Sequence, residues 1–527
     1  MSTLISLLRN TAQNFPNHQA IYRESDGNPR FLTWTEYLSR IAKAAGMFSQ
    51  LGLKQGDRFA IISKNSPYHA ELINAGYWAG MIPVPINFRL SPVEISDILK
   101  DAHCQLIFVE DIFIHLIEQV QHFGNTIVVI PSAIDSDSIS FEYRTLDSVL
   151  NEADPIPAVS LKEDDDAIWL FTGGTTARGK GVRLSHRNII SNAFQTANFI
   201  RPSSRDVYLH ISPMFHSTDL KATVVTMFGG SHVYLSEFST EAVVKAIEQQ
   251  KVSILSLVPT TLVRFLKETQ FEDVDLATLR LISYGTSPMD DNWLRFAHEK
   301  LPQVEFHQCY GLTETSPYLS ILDGNDHQRA FKDSPHLLHS AGKILPATEM
   351  RIVDEEGLDV VPGALGELIV KGPQVSKGYM NAPDEMRDAY IDGWFYTGDI
   401  AQMDDAGYLY IRDRKKEMVK TGGENVYTRE VEIVLLKHPK IMEVAVVGIP
   451  DDIYGEALLA VIVPKSGVNP GDPEIACEVL IGFCRSSLGG YKIPRKYLIV
   501  DELPRTALGK VKKTALKELH QNGENLS

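Results

Sequence analysis

The chain is poor in cysteine, in long apolar runs and in net positive charge. It has four cysteines in 527 residues, Cys104, Cys309, Cys477 and Cys484. No two form a C-x-x-C pair, which removes the usual zinc and dithiol readings and leaves reduced thiols in a cytoplasmic protein. No apolar stretch approaches the roughly 20 residues that a membrane-spanning helix needs. The N-terminus, Met1 to Asn10, has no basic region ahead of its short apolar stretch, so it reads as an amphipathic helix and not as a signal peptide. Lys and Arg number 51 against 67 Asp and Glu, a formal net charge of −16, which argues against a general nucleic-acid binder.

What is present is an ordinary globular composition, 44% hydrophobic and 22% charged, over a length that exceeds one ordinary core. Short apolar runs such as Arg58–Ile62, Gln105–Val109, Thr126–Ile130, Val252–Leu257 and Leu279–Ser283 alternate with helical patterns such as Thr240–Glu248. That alternation predicts an α/β fold with largely parallel sheets. Turn-rich alternation near 345–370 predicts a small β-rich subdomain, with strands at Glu349–Val353 and Gly366–Val370. Beyond residues 413–416, Val444–Gly448 and Ala457–Val463 predict strands of a small α+β unit.

The densest chemistry lies at Phe171-Thr-Gly-Gly-Thr-Thr-Ala-Arg-Gly-Lys-Gly181, after an apolar strand pattern at 167–171. Glycines let backbone N–H groups approach closely, threonines donate hydrogen bonds, and lysine supplies a point charge, a mixture suited to polyphosphate oxygens. Gly174 to Lys180 spells G-x-x-x-x-G-K, but Gly181 stands where a Walker A loop needs a hydroxyl for Mg²⁺. Taken alone, such a loop is as readily a flexible surface connection.

Four further segments follow in order: Tyr310-Gly-Leu-Thr-Glu-Thr315, Gly393-Trp-Phe-Tyr-Thr-Gly-Asp399, Arg412-Asp-Arg-Lys-Lys-Glu-Met-Val-Lys420 and Pro504-Arg-Thr-Ala-Leu-Gly-Lys510. Together with the 172–181 loop they resemble the core motifs of the adenylate-forming enzymes, which include acyl-CoA synthetases, firefly-type luciferases and peptide-synthetase adenylation domains. The resemblance spans nearly the whole chain. It implies an N-terminal adenylation domain over 1–413, a hinge at 414–416 centred on Lys416, and a mobile C-terminal domain over 417–527.

It also implies a chemistry. ATP with Mg²⁺ activates a carboxylic acid as its acyl-adenylate, and the thiol of CoA then displaces AMP. Thr172, Gly174, Thr175, Thr176 and Lys180 are expected around the β- and γ-phosphates, Thr313 near the α-phosphate, and Glu314 on the metal. Tyr310 and Gly311 match the segment that stacks on adenine, and Gly285, Thr286 and Ser287 the loop that frames it. Asp399 and Arg414 match the pair that holds the ribose hydroxyls, and Lys510 the lysine that bridges carboxylate and α-phosphate. Lys420 and Gly423 match the path of the pantetheine arm. In Pro213-Met-Phe-His216, the histidine matches one at the entrance to the carboxylate site.

Other readings of single residues stand beside these. Glu314 is also a helix N-terminal acid, Asp399 a turn residue, Lys510 a solvated lysine, and 420–427 a β-turn. Ala177 and Gly179 replace the family's usual Gly and Pro, which leaves an inactive acyl-adenylate-binding homologue open. So do a P-loop-type ATPase that makes ADP and a stand-alone enzyme that loads a carrier protein. Asp219 is the position at which an amino-acid-activating enzyme would pair the substrate amine. The acid pocket draws on 215–230 and 283–286, whose Leu220, Val224, Val225, Met227 and Phe228 suit a fatty or aryl acid. Lys221 breaks that run and is expected to reach solvent, the less favoured alternative being that it pairs a second carboxylate. Cys309, beside Tyr310, is expected to be open to inhibitory alkylation. A homodimer is left open.

Overall fold

The computed structural model describes residues 3–25, 28–120, 126–131, 142–172, 180–287, 289–421, 424–451, 453–469, 471–505 and 511–521. The chain divides into two compact units. The first comprises residues 1–350, 370–395 and 407–409, and the second 351–369, 396–406 and 410–527.

The first unit is α/β, as the alternating pattern predicts. Its largest sheet has nine strands. Gln19–Ser25, Ser231–Tyr234, Val207–His210, Ile254–Leu257, Leu281–Gly285 and Glu305–Tyr310 run parallel as successive neighbours. Antiparallel strands Asn28–Thr33 on one side and Ser320–Leu322 then Lys343–Ile344 on the other complete it. The parallel strands are short and buried, their runs closed by helices such as Thr240–Gln250 and Pro259–Glu268. Helix crossovers are what parallel neighbours require. A second, all-parallel sheet contains Ile82–Pro85, Arg58–Ile62, Cys104–Glu110, Thr126–Ile130 and Arg144–Thr145. Asp166–Thr172 pairs with Lys180–Ser185 in a two-stranded antiparallel ribbon.

The predicted N-terminal helix is Leu4–Asn14, capped by the Thr3 hydroxyl and burying Leu4, Ile5, Leu7 and Leu8. Among the described residues no helix is long and apolar enough to cross a membrane.

The second unit is α+β. Its C-terminal sheet orders Glu424–Val426, Val419–Thr421, Gly455–Pro464 and Ile441–Asp451, with Lys496–Ile499 parallel to Gly455–Pro464. One face packs on helices Thr428–Leu436 and Cys477–Arg485, the other on Lys513–Gln521. The strands predicted at 349–353 and 366–370 are present as Glu349–Val353 and Gly366–Lys371. Most of that β-rich piece, residues 351–369 and 396–406, groups with 410–527 in the second unit.

Candidate functional site

The parallel strands Leu281–Gly285 and Glu305–Tyr310 bring their carboxyl ends together, where open α/β sheets commonly bind ligands. Gly285 faces Cys309 in that register. A Cβ on Gly285 would lie 2.1 Å from the Cys309 carbonyl oxygen, so the strands can approach only because position 285 has no side chain. The chain leaves the strand through exposed Thr286 and Ser287, with Thr286 at φ 71°. A β-branched residue in the left-handed region is costly, and such backbone strain clusters at ligand-binding turns. Gly311 has the same kind of constraint, since its Cβ would meet the Pro317 carbonyl oxygen at 2.0 Å.

Past Tyr310, the short 3-10 helix Thr313–Thr315 presents Glu314, which is 8% exposed. Its Oε1 accepts a hydrogen bond of 2.7 Å from the Tyr379 hydroxyl. Tyr379 also carries the Lys180 ammonium 4.8 Å from the centre of its ring, within cation–π range. Tyr379 is held there by extended backbone. Its bridge to Val182 is flanked by hydrogen bonds from Arg183 N to Gly378 O and from Met380 N to Gly181 O. The ribbon that ends in Thr172 and restarts at Lys180 therefore delivers its lysine to the same tyrosine that holds Glu314. Thr172 Oγ1 lies 3.5 Å from Lys180 O across the ribbon. Gly174, Thr175 and Thr176, with Ala177 and Gly179, lie outside the described residues.

Thr313 Oγ1 lies 3.2 Å from Ser217 Oγ, which joins the Tyr-Gly-Leu-Thr-Glu segment to the one carrying His216. His216 is half-buried and lines a cavity of about 100 Å³. Leu4, Leu7, Trp34, Ile168 and Leu220 give this cavity apolar walls. One wall is polar: His210 Nδ1 is 2.7 Å from Asp219 Oδ1, His210 Nε2 is 3.0 Å from His232 Nδ1, and His232 Nε2 is 2.9 Å from Thr226 Oγ1. Burial holds His232 well below the usual imidazole range, so this ring is neutral. One proton arrangement that satisfies every contact runs from the Thr226 hydroxyl through His232 and His210 to the Asp219 carboxylate. Asp219, the position expected to meet a substrate amine, is thus engaged by His210.

Two further expectations are corrected. Lys221 does not reach solvent: it is 4% exposed and its ammonium donates to the Ser283 hydroxyl. The 3-10 helix Ser217–Lys221 turns it onto the sheet, where a snorkelling path is closed. Cys309 is 6% exposed, and burial pushes its thiol up to about 11, so it lacks both the access and the thiolate that alkylation needs.

In the second unit, Asp399 is buried in Trp394–Met403 and Arg414 ends Leu409–Arg414. Arg414 Nε lies 2.7 Å from Asp399 Oδ1. The Asp399 amide is fixed by Thr397 Oγ1 at 3.1 Å, so the expected ribose pair is placed as a preformed ion pair. Lys420 is exposed in Val419–Thr421, its amide donating to Glu456 Oε2 at 2.9 Å. Gly423 and Lys510 lie outside the described residues.

Sequence reasoning missed Tyr379, Ser217 and the pair His210 and His232. Tyr379 and Ser217 meet their contacts 65 and 96 positions away, and His210 and His232 face each other from strands 22 positions apart. The residues present fit Mg²⁺ with a nucleotide: a carboxylate with one acceptor site taken by Tyr379 retains others, and Mg²⁺ is commonly bound by one or two carboxylates plus substrate phosphates.

The family model described as AMP-binding enzyme matches residues 8–380, and that of the AMP-binding enzyme C-terminal domain matches 430–510. The indoleacetate–CoA ligase of Aromatoleum aromaticum is 32% identical, covering 93% of this chain and 93% of that protein. A long-chain-fatty-acid–CoA ligase of Mycobacterium tuberculosis is 31% identical, covering 97% of each. Among solved structures, o-succinylbenzoate CoA synthetase from Bacillus subtilis, in complex with its acyl-adenylate intermediate, superposes with a TM-score of 0.83 at 28% identity, covering 97% of each chain. With its nucleotide motifs in family order and both family models matched, the chain belongs to the AMP-binding enzymes.

Proposed function

We propose that this protein is an AMP-forming acid–CoA ligase acting on a fatty or aryl carboxylic acid. The observation that carries the reading is the convergence of Lys180, Tyr379, Glu314 and the Thr313–Ser217 contact beside the cavity of His216. The relatives named above join acids to CoA, and both an aryl-acetic and a long-chain acid occur among them.

In the first half-reaction a carboxylate oxygen attacks the α-phosphorus of ATP. The new O–P bond forms as the bond to pyrophosphate breaks. Two anions must approach, so the chain's contribution is positive charge and hydrogen-bond donors where charge gathers. Lys180 and Thr172, with Gly174, Thr175 and Thr176, hold the β- and γ-phosphates. Thr313 donates toward the α-phosphate, and Lys510 bridges the carboxylate and the α-phosphate. Glu314 holds Mg²⁺, which supplies charge neutralisation on the phosphates when bound. Tyr310 stacks on adenine within the frame of Gly285, Thr286, Ser287 and Gly311, while Asp399 and Arg414 take the ribose hydroxyls. His216 orients the acid at its entrance.

In the second half-reaction the CoA sulfur attacks the acyl carbon. The C–S bond forms, the C–O bond to AMP breaks, and the thiol proton leaves to solvent. Lys420 and Gly423 line the pantetheine path. We assign 414–416 as the hinge that exchanges Lys510 for this segment between the steps. Chromatography of the nucleotide products tests the reading: acid-dependent AMP together with acyl-CoA is expected. ADP, or AMP that does not depend on acid, refutes it.

A further inference from the structure

Lys221 is an anomaly in the first unit. It is 4% exposed, and the Ser283 hydroxyl is its one hydrogen-bond acceptor among the described residues. No carboxylate contributes to its surroundings there: the neighbouring ionisable groups include Cys309, Arg280 and His307. Among the other buried charges of this unit, Glu314 accepts from the Tyr379 hydroxyl, and Glu71, Asp206 and Asp166 are ion-paired. Glu71 binds Arg23 and Arg40, Asp206 binds Arg280, and Asp166 binds Arg183 and Lys377. A buried ammonium without a counterion is costly, and folded chains rarely retain one without a use for it.

The neighbours do not supply the missing charge. Burial raises the Cys309 thiol to about 11, so it stays protonated, and burial lowers His307, so it stays neutral. Glu305, whose carboxylate is 3.5 Å from His307, is turned outward to Arg201. Ser283 donates its own proton to Leu255 O at 3.2 Å and accepts from Lys221, so two of the three ammonium hydrogens remain for another acceptor.

Position supplies the rest. The 3-10 helix Ser217–Lys221 meets Thr313 at its first residue and Ser283 at its last. At about 2.0 Å per residue, those ends are about 8 Å apart along the helix. Ser283 shares a sheet face with Gly285, two residues on, where the loop 285–287 begins. Leu220 and Ala222, on either side of Lys221, line the cavity of His216, which sets Lys221 next to the pocket assigned to the acid.

We infer that Lys221 and Ser283 form a subsite for the far end of the acid, and that the acid selected is a dicarboxylate, its second carboxylate paired with Lys221. The inference rests on the acid–CoA ligase reading and narrows its substrate class to fatty or aryl acids that carry a second carboxylate. Adenylation uses the first carboxylate, and the second remains ionised throughout.

The experiment compares matched acids, succinate to suberate against butyrate to octanoate, by pyrophosphate release with MgATP in the wild type and in Lys221→Met. The expected result is a wild-type preference of 30-fold or more in kcat/KM for one of the diacids, lost in Lys221→Met, with the monoacid rate equal or higher in the variant. A wild type that uses monoacids as well as diacids of equal length overturns the inference while leaving the ligase reading intact, and so does an equal loss on both in the variant. Pyrophosphate release with no acid at all counts against the ligase reading itself. Calorimetry of adipate and hexanoate binding in the presence of α,β-methylene-ATP, which cannot release pyrophosphate, reads the subsite without turnover. Tighter adipate binding that Lys221→Met abolishes supports the subsite, and equal binding of the two acids overturns it.

Discussion

Replacing Lys221 by methionine should stabilise the first unit at neutral pH. Burial lowers the lysine from its ordinary value to about 8. An unfolded chain restores the ordinary value near 10.4, and each unit of difference is worth about 1.4 kcal/mol, so holding the ammonium in the fold at pH 7 costs about 3 kcal/mol. Methionine fills similar volume without charge, but it gives up the hydrogen bond to Ser283, worth about 1 kcal/mol. The net gain is about 2 kcal/mol at pH 7. Between about pH 8 and 10.4 the unfolded lysine holds a proton that the folded one has lost, so wild-type stability rises with pH there. The advantage of Lys221→Met therefore shrinks across that window and reverses to about −1 kcal/mol above it. All five tryptophans lie in residues of the first unit, so their fluorescence during urea unfolding follows that unit. An upward shift of the urea midpoint by roughly 0.5 M at pH 7, narrowing by pH 10, is expected. A variant less stable than wild type at pH 7, with a pH-independent difference, would refute the reasoning.

Arg280→Ala removes a two-pronged partner of Asp206, with contacts of 2.7 and 2.9 Å, and leaves a carboxylate that is 3% exposed. It should cost about 3–5 kcal/mol in the same urea assay. A loss below about 1 kcal/mol would mean that the pair is not strongly coupled. Glu314→Gln should lower acid-dependent pyrophosphate exchange by roughly 10²–10³-fold and raise the Mg²⁺ needed for half-activity, while Tyr379→Phe, which keeps the carboxylate, should cost about tenfold. An unchanged Mg²⁺ requirement in Glu314→Gln would remove the metal role. Lys510→Ala should abolish adenylation yet still convert supplied acyl-adenylate to thioester, and Gly423→Trp should do the reverse. Equal loss of both half-reactions in either variant would contradict the role assigned to that residue.

Several elements were legible in the sequence because they depend on local pattern. The runs Arg58–Ile62 and Thr126–Ile130 became strands with those bounds, and the amphipathic start became Leu4–Asn14. Strands predicted from Val252 and Leu279 begin two residues later, at Ile254 and Leu281, where pairing with neighbours decides the end. Motif residues such as Glu314 and Asp399 could be named as candidates. Their partners could not. Tyr379 reaches Glu314 across 65 positions because residues 376–380 lie beside the Lys180–Ser185 strand, and nothing local marks that pairing. Lys221 was misread for a related reason. Solvent is the ordinary destination of a lysine in an apolar run, and only the 3-10 turn together with Ser283, 62 positions away, places it inside. Asp219 likewise acquired a role through His210, whose ring orientation depends on the neighbouring strand's His232.

The most direct test of the account is nucleotide product analysis of purified protein with MgATP, CoA and matched mono- and dicarboxylic acids. The account predicts AMP and pyrophosphate in equal amounts, dependent on a particular acid, with acyl-CoA formed in step. ADP as the nucleotide product would contradict it, as would the absence of acid-dependent AMP across the panel.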